Sequence, residues 1–73
     1  MTEETIHGVS IEIQDSDSHT IQQIIHSWKE HKSDFETMRH GVDHDSNNKI
    51  HIGNAVLEKR DGKYILRKSS SNY

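Results

Sequence analysis

Three groups of residues in this chain carry side chains and spacings that could do chemistry. The first is Asp43, Asp45 and Asn47. Hard oxygens at alternate positions can wrap a hard cation, and these three fall at positions 1, 3 and 5 of a calcium-loop spacing, with Ile50 at position 8. Position 6 is Asn48 instead of Gly, although Asn tolerates left-handed backbone. Position 12 is Asn54, so the bidentate carboxylate is missing. Ordinary turn chemistry produces the same Asp/Asn/Ser composition, and a metal-free turn over 43–48 is the expectation. The second group is His40 and His44, four apart, a spacing that suits zinc on one helix face. Gly41 lies between them and argues against a continuous helix there, and a third ligand would have to be His51 or Asp43. The other histidines, His7, His19, His26 and His31, are scattered and fall mostly on polar faces, where a solvated imidazole needs no role.

The third group is the basic hairpin Lys59-Arg60-Asp61-Gly62-Lys63-Tyr64, followed by Arg67 and Lys68. Lys59, Arg60, Lys63, Tyr64 and Arg67 are the candidate partner-binding residues. Rim charges beside a tight turn steer association, while an apolar centre holds the complex. The same residues could track a phosphate backbone, with Tyr64 stacked on a base. Against nucleic acid stand the acidic whole chain, net −3, and only 5% aromatic residues. Lysine and arginine on edge strands also guard against edge-to-edge aggregation.

Catalysis has little support. The chain holds no Gly-rich phosphate loop and no nucleophile elbow, so no catalytic residue and no cofactor are assigned. With no Cys, thiol chemistry, cysteine zinc sites and disulfides are excluded. No apolar run approaches membrane-spanning length, and the start Met1-Thr2-Glu3-Glu4-Thr5 lacks a signal-peptide pattern, so a cytoplasmic protein without membrane contact is expected.

The elements that must position these groups are written in hydrophobic period. Ile21, Ile24, Ile25 and Trp28 stand at i, i+3, i+4 and i+7 and share one face of a helix from about His19 to Lys32. Val9, Ile11 and Ile13 alternate with Ser10, Glu12 and Gln14, which predicts a half-buried strand over Thr5 to Ile13, weakened or bulged at Gly8. Asp15-Ser16-Asp17-Ser18 ends it and offers helix N-caps. Beyond Lys32 three readings compete: the stripe continues through Phe35 and Met38 and stops at Gly41; Ser33 caps a short second helix with Glu36 closing a capping box; or Phe35 to His40 is a strand. Helical structure is the expectation.

Further on, Ile50 and Ile52 resume alternation, Gly53-Asn54 is a turn or a bulge, and Asp61-Gly62 is a type I′ turn. Pairing across Asp61-Gly62 sets Lys59 opposite Tyr64, Glu58 opposite Ile65 and Leu57 opposite Leu66. If Gly53-Asn54 also turns, Ile50, Ile52, Ala55, Leu57, Tyr64 and Leu66 share one face against the helix. The fold class is therefore α+β: an N-terminal strand, one main amphipathic helix that is extended or followed by a short second one, and a C-terminal antiparallel meander. Residues 1–73 form one small domain, with 69–73 as a disordered tail.

Leu, Ile, Val and Phe number fifteen of 73 residues, so the core is thin, and a homodimer or a bound partner is expected to add stability. Charge is uneven. Glu3, Glu4, Glu12, Asp15 and Asp17 give residues 1–17 a charge of −5, while residues 49–73 carry +4. Either these charges pair within one sheet or one of them faces a partner. By exclusion the chain reads as a non-enzymatic binding protein of inhibitor, adaptor or regulator type, contacting another protein. Nucleic-acid binding through the basic hairpin is the alternative, and a metal-binding module using residues 43–51 is a third reading.

Overall fold

The computed structural model describes residues 2–69. The chain runs β1 (Thr2–Ile6), β2 (Val9–Ile13), α1 (His19–Glu30), α2 (Lys32–His44), β3 (Lys49–Ile52), β4 (Ala55–Arg60) and β5 (Lys63–Lys68). The strands form one mixed sheet in the order β1-β2-β5-β4-β3. Neighbours along the chain pair antiparallel, whereas β2 and β5 pair parallel at the centre, with Ile11 beside Tyr64 and Ile13 beside Leu66. The fold class is α+β, as the periodicities predict. The expected tail lies outside the described residues except for Ser69, whose N–H donates to the Asn54 carbonyl at 2.8 Å.

Two-residue turns build every antiparallel pair. Asp61 and Gly62 both take positive φ, 54° and 79°, the type I′ geometry expected of Asp-Gly. Gly53 alone is positive in Gly53-Asn54, and Ile52 pairs with Ala55 across it, so this is a turn and not a bulge. The registers Lys59–Tyr64, Glu58–Ile65, Leu57–Leu66 and Ile50–Leu57 are those predicted. The single strand over Thr5 to Ile13 is corrected. Gly8 is no bulge: His7 (φ 51°) and Gly8 (φ 83°) close a hairpin, and Thr2–Ile6 returns alongside Val9–Ile13.

Helical structure continues beyond Lys32 as expected, in a second helix of 13 residues, with its boundary elsewhere than predicted. The two helices share His31 as C-cap of α1 and N-cap of α2. Ser33 is therefore not the cap, Phe35 to His40 is not a strand, and Gly41 does not end the helix. No Gly or Pro marks the break. α1 lies against β5, while α2 swings across to β3 and β4. α2 continues because Phe35 and Val42 are buried two turns apart on its inner face, with half-buried Met38 between them. Gly41 lies over β3, where a Cβ would sit 3.7 Å from Ile50 Cγ2.

One core lies between helices and sheet. Ile21, Ile25 and Trp28 of α1 and Phe35 and Val42 of α2 meet Ile6, Ile11, Ile13, Ala55, Leu57, Tyr64 and Leu66 of the strands. Trp28 is 3% exposed and its ring lies 5.4 Å from that of Phe35. His7 Nε2–H donates to the Trp28 carbonyl at 2.7 Å, which ties the first hairpin to the last turn of α1. Among the described residues both helices lie on this one face of the sheet.

Candidate interaction surface

Strand alternation sorts the basic hairpin onto two faces. Arg60, Lys63 and Arg67 project from the face opposite the helices, with Val56, Glu58 and Ile65. Lys59 and Tyr64 project to the helix side. The structure thus brings three of the five candidate partner-binding residues together and sets two apart.

Tyr64 is 8% exposed and belongs to the core. Its hydroxyl donates to Asp43 Oδ1 at 2.6 Å, and Lys59 Nζ reaches the same oxygen at 3.4 Å while lying 5.4 Å from the Tyr64 ring centre. The Tyr64 hydroxyl, then Lys59, hold the Asp43 carboxyl below the usual carboxylate range. Burial, reinforced by Asp43, pushes the Tyr64 phenol up. This cluster clamps the last turn of α2 to the β4–β5 hairpin and keeps the Tyr64 ring buried.

The metal candidates are dispersed by the same geometry. Asp43 and His44 lie within α2 and not in the loop, and the turn proper is 45–48. Asp45 Oδ2 accepts the N–H of Asn47 at 2.8 Å, and Asn48 takes φ 55° with its Nδ2–H on the Val42 carbonyl. These are cap and turn contacts. His40 and His44 do share a helix face, with ring centres 4.1 Å apart. His51 lies on the opposite side of the sheet from them. Among the described residues no three His, Asp or Glu side chains gather to hold an ion.

The open sheet face has an ordered pattern. Across its middle, from β1 to β3, run Glu3, Glu12, Ile65, Glu58 and Lys49, directly paired strand to strand. Arg60 and Lys63 flank this row at the turn end, and Arg67 with Val56 flanks it on the other side. Glu58 is 9% exposed and accepts from Arg67 Nε at 2.8 Å and Arg60 at 3.1 Å. The Arg67 bond is the main cause that holds the Glu58 carboxyl low. Lys63 reaches Glu3 at 3.5 Å with both side chains more than half exposed. Val56 and Ile65 are buried on this face, with no helix over them among the described residues.

Sequence reasoning named the bases of this face and missed its acids. The signal was available: Glu58 is paired with Ile65 in the predicted register, so it shares the face of Arg60 and Arg67. Comparison of the chain with family models, curated proteins and solved structures finds no match. No helix among the described residues is long and apolar enough to cross a membrane.

Proposed function

We propose that this chain is a non-enzymatic protein-binding module whose contact surface is the open sheet face. The observation that carries the reading is the arrangement around Glu58. Arginine, lysine and glutamate side chains alternate across a face that no helix among the described residues covers, above Val56 and Ile65, which are themselves buried. Arginine is a residue that protein interfaces favour. Glu3, Glu12 and Glu58 interrupt the bases, which speaks against a phosphate track, where positive charge runs unbroken. A protein partner of mixed charge matches such a surface.

The test reverses Arg60 and Lys63 together to Glu. Their side chains are 67% and 54% exposed, and exposed pairs contribute at most about 1 kcal/mol. The double variant therefore keeps its fold, losing at most roughly 2 kcal/mol, or about 8–16 °C in Tm. It loses, or associates at least tenfold more slowly with, the protein that the immobilised parent captures. If the charges serve only the sheet, the folded variant keeps its partner and its association rate. Binding of an oligonucleotide that weakens steeply with salt would favour the nucleic-acid reading instead.

A further inference from the structure

We propose that the free edge of β1, together with the groove between β1 and α1, takes an extended basic segment of another protein as a sixth strand of the sheet. This edge borders the open sheet face and shares Glu3 with it, but the proposal rests on the outward amides and charge of β1 and does not depend on that reading.

β1 ends the sheet. The two-residue turn at His7-Gly8 makes Ile6–Val9 a hydrogen-bonded pair, so bonded and non-bonded pairs alternate along the hairpin from there. Glu4–Ile11 and Thr2–Ile13 are then bonded pairs. Glu3 and Thr5 turn their N–H and C=O outward, away from β2. A row of outward amides is a template for another strand. Beside it lies a groove of about 310 Å³ lined by Glu4, Ser16, Gln22, Ile25, His26 and Lys29. An added strand would send alternate side chains into this groove and the others onto the open face next to Glu3.

Charge states what those side chains are. β1 carries Glu3 and Glu4 and no base. Glu3 stands directly opposite Glu12 in a non-bonded pair, the kind in which side chains are closest, and like charges there repel. Its cation, Lys63, is 3.5 Å away across the intervening strand and more than half exposed. A lysine or arginine across from Glu3 on a sixth strand relieves that repulsion at close range. On the groove side Glu4 is already held by Lys29 at 2.8 Å, and Ile25 offers an apolar floor. The fitting segment therefore alternates basic and small apolar residues.

The experiment titrates the full chain, labelled with ¹⁵N, with a short peptide alternating lysine and valine, and in parallel with one alternating glutamate and valine. The lysine peptide is expected to saturate and to shift amides of β1 and of residues 22–29, while the glutamate peptide does not bind. Thr5→Pro removes an outward N–H that β2 does not use, so it should fold and bind the lysine peptide at least tenfold more weakly. Glu3→Lys should reverse the preference between the peptides, and it decides the matter if Thr5→Pro fails to fold. No saturation at millimolar peptide, equal binding of both peptides, shifts confined to other elements, or an unchanged preference in Glu3→Lys would each overturn the proposal.

Discussion

Tyr64→Phe removes a single oxygen, and its effect can be worked from the geometry. The hydroxyl donates to Asp43 at 2.6 Å from a ring that is 8% exposed. A hydrogen bond to a charged acceptor contributes about 1.5–3 kcal/mol. The Asp43 side chain is 30% exposed and keeps Lys59 at 3.4 Å, so water and Lys59 replace part of the loss. The expected cost is about 1–2 kcal/mol, or roughly 4–16 °C in Tm for a domain of this size. The pH dependence follows from both partners. Asp43 is held below its usual range, by the Tyr64 hydroxyl first and Lys59 second, so its contribution is present near neutrality and fades as pH falls below about 4. Tyr64 is raised, by burial first and Asp43 second, so its contribution is full below about pH 10 and is lost above. Thermal melts followed by circular dichroism, parent against variant, should differ most between about pH 5 and pH 9 and converge toward both ends. A variant that melts within about 1 °C of the parent at neutral pH, or a deficit undiminished at about pH 3, would refute the clamp.

Trp28→Ala opens the centre of the core and should cost about 3–5 kcal/mol, enough to unfold so small a domain at room temperature; a variant that melts with the parent would contradict the placement of that ring. Gly41→Ala should stabilise by about 0.5–1 kcal/mol, since the position is inside α2 and its Cβ would meet Ile50 at an ordinary 3.7 Å; a lower Tm would show that α2 must shift to admit the methyl. Glu58→Gln should lower Tm at pH 7 and approach the parent as pH falls below about 4, because Arg67 first, and Arg60 after it, hold the Glu58 carboxyl low and its contribution fades as the carboxyl protonates; a constant difference across pH would show that packing, and not charge, sets its role.

The C-terminal half was legible because local chemistry there is unambiguous. Asp-Gly admits two positive φ angles in succession, and once that turn is placed the period of two assigns the partners of β4 and β5; reading Gly53-Asn54 as a second turn extends them to Ile50. β1 was not legible. Thr2-Glu3-Glu4-Thr5 holds no apolar residue before Ile6, so no alternation marks it, and His-Gly is a weaker turn signal than Asp-Gly. The break at His31 is likewise set by where the two helices dock, α1 on β5 and α2 on β3 and β4, and not by a breaker in the chain. Of the candidate surface, alternation alone could have separated Tyr64 from Arg60 and Lys63. The clamp on Asp43 could not be read, because it depends on α2 continuing past Gly41 to bring that carboxylate over the hairpin.

The parallel pairing of β2 with β5 has a kinetic consequence. Every other strand pair joins chain neighbours through a two-residue turn and can form early and locally, whereas this pairing brings Ile11 to Tyr64. It is the one strand pairing that must close a long loop before any contact rewards it. The two ends of the chain therefore meet late, and until they do, the N-terminal hairpin with α1 and the three C-terminal strands are separate pieces with their apolar faces in water. Lesions at Ile11 or Leu66 should slow that meeting and lengthen the time for which those faces are open to aggregation, whereas lesions at the distal edge of β3 should mainly hasten unfolding.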